Sequence, residues 1–473
     1  MRPAHIVVLG GGISGLAAAY VLAQARRGGA PMAEYLVEAS PGLGGALCTE
    51  RVEGCLVEAG ADSFLTEKPE AIQLCREVGL GEQLVGSNDA ERRTLILHRG
   101  RLVPLPEGFE FLVPTRLAAV AATPLLSWRD KLALATEIFR RPRAQQEDES
   151  VAAFIERHFS RGLLENVVDP LLSAVYGGDA RELSVATVLP RLVEIEREWG
   201  SLVRGLRHAA ARRQQAPGTR PPLFTTLRDG VSTLADTLRS RVEATRLRLE
   251  RRAVELTVQP GGKAYRVRLD SGEAIEAEAV ILALPAYESA RLLRPADAPL
   301  AYSLAAIPYS SSVIVALGYD ERALPALPRG FGFLVPEKEK RRLLACTFMN
   351  HKFPGRVAPG QVLLRCFLGG MRDEGVLELA DTEVLALVGQ ELRDILGITT
   401  APAFARVYRW RKALAQYTVG HGARVATVQQ RLAAHHGLFL CGNAYQGIGV
   451  PDCIRSGRAA AEECLRYLRS AAV

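Results

Sequence analysis

The chain has 473 residues, 48% of them apolar and 23% charged, which allows a large buried core and two or three domains. Its formal charge of +7 is a small excess over that length and does not indicate a nucleic-acid partner. Eight Cys without a CxxC pair and eight His without HExxH spacing argue against a disulfide framework and a bound metal, and fit reduced, mostly buried thiols in a cytoplasmic protein.

Ile6–Ala25 is free of formal charge and long enough to span a bilayer, but Gly10, Gly11, Gly12 and Gly15 interrupt it. It reads better as a strand at His5–Leu9, a glycine turn and a helix at Ile13–Arg26, followed by a strand at Tyr35–Glu38. Residues 91–143 carry ten Arg/Lys against five Asp/Glu, interleaved with Phe109, Phe111, Leu112, Leu117, Val120, Leu125, Leu126 and Trp128. A helical pattern runs from about 150 to 213, opened by Ser150 as an N-cap, and Gln214–Pro222 reads as a boundary loop. Strands are expected at Leu247–Gln259, Tyr265–Leu269 and Ala274–Ala279, with turns at Gly261–Gly262 and Asp270–Gly272, leading into Val280–Leu284. Strand-like runs at Val313–Leu317 and Val362–Phe367 and a helix near Thr382–Leu396 follow, then a strand at Leu438–Cys441 and a helix over Asp452–Leu468.

Gly10-Gly11-Gly12-Ile13-Ser14-Gly15 is a GxGxxG turn between a strand and a helix, with Glu38 at the end of the next strand. The glycines allow a tight turn, close approach to a pyrophosphate and close helix packing; the acid suits ribose hydroxyls, so the unit binds a dinucleotide. Three further features favour FAD over NAD. A second glycine loop at Gly42-Leu43-Gly44-Gly45 follows the acid, and the meander over 247–279 is an insertion that NAD domains usually lack. The third is the terminal stretch Leu438–Asn443 with Gly447–Val450, where a strand end, the polar Asn443 and a helix N-terminus meet. Such a terminus can stabilise charge on a reduced flavin.

With these residues the chain resembles the oxygen-dependent porphyrinogen oxidases of haem biosynthesis, within the amine-oxidase-like flavoproteins. The specific blocks are Val57–Phe64, Val175–Ser184, Gly330–Pro336 and Gly442–Ile454. The resemblance implies an α/β fold: a Rossmann-type FAD-binding domain, an α+β substrate domain and a helical, membrane-associating subdomain. The expected divisions are 1–90, 220–295 and 405–473 for FAD, 91–219 for the helical part and 296–404 for substrate. It also implies six-electron oxidation of a porphyrinogen in three hydride transfers, with O2 reoxidising the flavin to give H2O2. Protoporphyrinogen IX is placed ahead of coproporphyrinogen III, and an amine oxidase, a desaturase or a flavin-free escort protein of related fold remain as alternatives. FAD contacts carried over by position are Gly10–Gly15, Glu38, Ala39, Gly44, Gly45, Ala46, Gly60, Ala61, Asp62, Ser63, Val254, Trp410, Asn443, Ile448, Gly449 and Val450. Substrate contacts are Leu171, Ala174, Phe331, Leu334 and Phe367. Some relatives place an Arg at the position of Thr94 for a propionate contact, whereas here the basic residues are Arg92 and Arg93 just before it, which leaves the propionate-binding residues open. No general acid or base is compelled, because pyrrole N–H groups can lose protons as hydride leaves carbon. A peripheral place on the inner face of the cell membrane and hand-off of product to ferrochelatase complete the expectation; oligomeric state is open.

Overall fold

The computed structural model describes residues 3–106, 108–110, 112–142, 147–214, 221–242, 245–259 and 264–471. Five parallel strands form one sheet in the order Arg246–Arg248, Met32–Val37, Ala4–Leu9, Ala279–Leu282, Leu438–Leu440. Both ends of the chain supply strands to it, as the sequence suggested. Ile6, Val7, Val8 and Leu9 are all buried, the continuous apolar run of a parallel strand covered on both faces. Helix Ile13–Arg27 covers one face through Leu16, Ala17, Ala18, Ala19 and Leu22, and Arg26 and Arg27 in its last turn suit the negative end of the helix dipole. The C-terminal helix Val450–Ala471 crosses it so closely that a Cβ at Gly457 would lie 2.0 Å from the Ser14 carbonyl oxygen.

One expected strand divides in two. Over 247–259 the chain first runs parallel to Met32–Val37 as Arg246–Arg248, turns at Glu250 with φ +54°, and re-emerges as Ala253–Val258. That second part begins an antiparallel meander with Tyr265–Leu269 and Ala274–Ala277. β-Propensity marks both parts equally, and only tertiary pairing separates them. The Gly261–Gly262 turn and most of the Gln214–Pro222 loop lie outside the described residues.

A mixed sheet of seven strands runs Phe404–Ala415, Tyr309–Asp320, Gln361–Gly369, Leu343–Phe348, Gly332–Leu334, Thr94–His98, Arg101–Pro104. Two of these extend it beyond the expected substrate segment. Thr94–Pro104 was assigned to the helical part, yet Thr94–His98 pairs in parallel with Gly332–Leu334. Phe404–Ala415 was assigned to the FAD part, yet it pairs with Tyr309–Asp320. Helix Asp381–Leu396 covers one face of this sheet through Val384, Val388 and Leu392.

The remaining layer is helical over 151–214. Ser150 is the N-cap of Val151–His158, accepting from the Ala153 N–H at 3.1 Å. The buried Glu137 carboxylate caps a different helix from a distance, accepting from the Leu202 and Val203 N–H groups and the Ser201 hydroxyl. Of the apolar residues singled out over 91–143, Val120, Leu125 and Leu126 are core, while Phe109 and Leu112 are partly buried against it. Phe111 and the side chain of Leu117 lie outside the described residues. Trp128 alone of that set is strongly exposed, joined by Leu132 and Phe139 on the same helical stretch.

Candidate functional site

The GxGxxG turn forms as its glycines require. Gly10 sits at φ +102°, and a Cβ there would lie 2.3 Å from the Ala283 carbonyl oxygen. A Cβ at Gly15 would lie 1.9 Å from the Gly10 carbonyl oxygen, so only glycine lets the helix start this close to the strand. At Gly12, by contrast, a Cβ would meet nothing within 4 Å. This open space faces a helix start that no side chain caps, which leaves its first N–H groups for an anion.

Around that space the expected residues assemble. Glu38 accepts from the Gly11 N–H at 2.6 Å and, with its other oxygen, from the Ser40 N–H beside Ala39 at 2.7 Å. Gly44 donates its N–H to the Gly11 carbonyl at 2.8 Å and Gly45 lies against Gly12, so the second glycine loop runs along the first. Ala61 donates its N–H to the Ala46 carbonyl, and a Cβ at Gly60 would collide with that same oxygen at 2.3 Å. Val254 is the bulged residue of its strand, with its carbonyl accepting from Arg291 Nη1. The Arg251 N–H donates to the Glu38 carbonyl, so the segment leading into this strand reaches Glu38.

The C-terminal loop brings in the last group. Asn443 donates its side-chain amide to the Ala413 carbonyl, clamping the loop to the seven-stranded sheet. Tyr417 donates its hydroxyl to the Asn443 carbonyl and accepts from the Gly447 N–H, both at 2.7 Å. Ile448 and Gly449 lead into the C-terminal helix at Val450, whose first turns lie against the start of the first helix, Gly457 packing on Ser14. Burial pushes the Tyr176 hydroxyl up to about 12, with Asp452 adding to the shift, so it stays protonated beside this loop.

The seven-stranded sheet supplies the opposite wall. Residues paired across neighbouring strands share a face, which puts Tyr408, Ile314, Phe367, Ala345, Leu334 and Ile96 in one row. Phe367 and Leu334 therefore belong together, separated by a small Ala: a flat apolar shelf. Trp410 lies two residues from Tyr408 on that face and donates Nε1–H to the Ala59 carbonyl at 2.7 Å. Phe331 is not on the shelf by alternation: it falls on the face of Phe333, its backbone bonded to Arg93 and Phe348. Leu171 is half-buried and Ala174 exposed on helix Asp169–Tyr176, which a π-helical turn at Leu164–Val168 precedes.

Sequence reasoning missed the polar fastenings. Lys352 and Arg365 both reach Asp62, Arg365 also donates to the Gly60 carbonyl, and Arg406 and Tyr408 both bind Glu50. A signal existed for Arg365, a lone charge in the apolar run Val362–Gly369.

The model of the flavin containing amine oxidoreductase family matches residues 13–465. The chain belongs to that family. It is 32% identical to the coproporphyrinogen III oxidase of Bacillus subtilis, over 98% of this chain and 99% of that one. It is 34% identical to that of Propionibacterium freudenreichii, over 98% and 90%. The chloroplastic protoporphyrinogen oxidase 1 of Arabidopsis thaliana is 27% identical, over 98% and 88%. A crystal structure from an Exiguobacterium species, assigned as a protoporphyrinogen oxidase, superposes with a TM-score of 0.87 at 30% identity, covering 99% and 100%. Cyclohexylamine oxidase of Brevibacterium oxydans shares the fold alone, at 17% identity and a TM-score of 0.68. The protein is thus an FAD-dependent oxidoreductase, and the space at Gly12, the two helix starts and the Glu38 carboxylate fit that cofactor.

Proposed function

We propose that this flavoprotein oxidises coproporphyrinogen III to coproporphyrin III, with O2 taking the electrons from the cofactor and leaving as H2O2. The observation that carries this reading is end-to-end similarity to several coproporphyrinogen III oxidases, most at 32–34% identity and that of Staphylococcus aureus at 26%, beside 27% for the plant protoporphyrinogen oxidases. The sequence alone placed protoporphyrinogen IX first, with coproporphyrinogen III as the alternative; the relatives support porphyrinogen oxidation as a class, and we favour the alternative on the share of them named for it.

FAD supplies the acceptor for two electrons at a time. Its phosphates would lie at Gly10–Gly15 with Gly44 and Gly45, its ribose at Glu38 and its adenine near Val254. The isoalloxazine would lie among Ala46, Gly60–Ser63, Trp410 and Ile448–Val450. The apolar shelf of Phe367, Ala345 and Leu334 suits the face of a large macrocycle, with Leu171 and Ala174 across from it. A tetracarboxylate needs cations at its rim, and Arg92, Arg93 and Arg329 surround the outer end of the Gly332–Leu334 strand with exposed side chains. None of these apolar side chains exchanges protons, so their role would be to orient the substrate.

Purified protein should be yellow, and coproporphyrinogen III added in air should give porphyrin fluorescence at a rate at least about tenfold above protoporphyrinogen IX, or about 1.4 kcal/mol of discrimination. Emission from neither substrate would end the reading, and faster oxidation of protoporphyrinogen IX would restore the other order.

Among the described residues no helix is long and apolar enough to cross a membrane. Peripheral contact has its own support. Trp128, Leu132 and Phe139 are 70%, 58% and 77% exposed, and spacings of four and seven residues put them on one side of helix Trp128–Glu137 and the turn after it. Arg129 and Arg141 are exposed beside them. Apolar side chains rimmed by Arg suit an anionic lipid surface, beside which the product could pass to ferrochelatase.

A further inference from the structure

The loop Gly60–Ser63 carries Asp62 and rests on two buried cations, Lys352 and Arg365. Lys352 Nζ lies 2.7 Å from Asp62 Oδ2, and Arg365 Nη1 lies 3.1 Å from the same oxygen. Ser63 donates its hydroxyl to Asp62 Oδ1 at 2.7 Å. The Lys352 ammonium is walled by the rings of Phe224 and Phe353, at 4.7 and 5.2 Å, and the Arg365 guanidinium stands 5.2 Å from the ring centre of Phe367. Arg365 is 1% exposed; its Nη2 donates to the Gly60 carbonyl, while its buried Nε has no hydrogen-bond partner among the described residues.

The charges do not cancel. One carboxylate faces two cations, leaving one positive charge in excess. The adjacent buried pair Arg356–Glu58 is neutral as a pair and does not offset it. Although burial pushes the Asp62 carboxyl up, Lys352 and Arg365 hold it well below the usual range, so it is a poor proton acceptor. Burial pulls the Lys352 ammonium below its ordinary value, with Asp62 opposing that shift. An uncompensated buried cation is costly in a resting fold unless an anion comes to face it. Two electrons and one proton turn oxidised FAD into an anion, and the electrons come from a substrate C–H bond in the oxidation proposed above.

We propose that Lys352 is a positioning residue for this oxidation: by neutralising Asp62 it leaves the Arg365 charge uncompensated, and that charge favours the anionic reduced cofactor. The proposal rests on the reading that Gly60–Ser63 borders the isoalloxazine.

The test compares the holoprotein with Lys352→Met, Lys352→Arg, Arg365→Met and the double variant Asp62→Asn/Lys352→Met. Cofactor content and the visible spectrum come first, because a wild type without FAD would defeat the functional reading rather than this one. Sulfite affinity and the two-electron potential then read the charge. Lys352→Met should bind sulfite about tenfold more weakly and shift reduction about tenfold toward the oxidised form, which is about 30 mV for a two-electron couple. Arg365→Met leaves a neutral Asp62–Lys352 pair and should do the same, which serves where Lys352→Met fails to fold. Lys352→Arg should match wild type. The double variant removes one charge of each sign and should recover wild-type values, which a merely structural role for Lys352 would not allow. A double variant as low as Lys352→Met, or single variants at wild-type values, would overturn the proposal.

Discussion

His421 makes the C-terminal loop Asn443–Gly447 sensitive to acid. Its side chain is completely buried, with its ring stacked on Tyr417 at 4.1 Å and 16°. Neither ring nitrogen makes a hydrogen bond of good geometry among the described residues. Tyr417 in turn holds Asn443 and Gly447 through its hydroxyl. Burial, with Arg424 adding to it, pushes the imidazole down from 6.5 to about 4. The folded protein therefore keeps His421 neutral where the unfolded chain takes up a proton. The stability this contributes is complete above the unfolded value of about 6.5 and is lost as pH falls toward 4. From pH 8 to pH 5 the loss comes to about 2 kcal/mol, of roughly 3 kcal/mol in all. His421→Phe keeps the stacked ring and removes the titration. Urea unfolding of both proteins at pH 8 and pH 5 should show the wild type losing about 2 kcal/mol more than the variant. Equal losses would refute the argument, because other titrating groups are common to both.

Gly12→Ala and Gly15→Ala should fail differently. Compared as apoproteins, the first should keep its Tm yet fail to bind FAD, because its Cβ enters only the open space; the second should lose stability as well, because its Cβ meets backbone at 1.9 Å. Cofactor absorbance and thermal melts distinguish them. Arg372 donates to both oxygens of Asp169 and, through Nε, to Asp179, tying helix Asp169–Tyr176 to the strand end at Gly369. Arg372→Met should raise KM for porphyrinogen about tenfold, a loss of about 1.4 kcal/mol, with FAD content unchanged. Trp128→Ser/Phe139→Ser should abolish sedimentation with phosphatidylglycerol vesicles while leaving turnover in detergent intact. Unchanged sedimentation would remove the membrane surface from the account.

The nucleotide end of the site was legible because its signals are local. A strand, three glycines, a helix and an acid within 34 residues, from His5 to Glu38, specify one backbone shape, and the structure follows it to within a residue or three at each element. The substrate side depends on pairing between distant segments, and there the reading slipped. Nothing near Thr94 shows that it will pair with Gly332, and nothing near Arg246 shows that three residues will leave the meander to join Met32–Val37. Lys352 and Arg365 stayed hidden for the same reason, because a charge in an apolar stretch has a meaning only once its partner, 290 residues away in the case of Lys352, is known.

The fastenings also decide which part of the site can move. Trp410 to Ala59, Arg365 to Gly60 and Tyr408 to Glu50 run from the seven-stranded sheet, and Lys352 to Asp62 from the short helix Met349–Lys352 between two of its strands, all to one segment, Glu50–Asp62. Several of these bonds are buried or charge-assisted, and breaking them together to open a cleft would cost several times the 0.5–1.5 kcal/mol typical of a single hydrogen bond. The shelf of Phe367 and Leu334 is therefore fixed relative to Glu50–Asp62, as the proposed close approach of a substrate carbon to the flavin needs. Helix Asp169–Tyr176 is held differently, by the partly exposed Arg372 ion pairs, and Ala174 and Val175 already face solvent. A macrocycle must then enter by displacing this helix rather than by separating the two sheets. Hydrogen exchange should accordingly be faster over Leu164–Tyr176 than over Val362–Gly369 and should slow on binding porphyrin; equal protection in both segments would contradict this route.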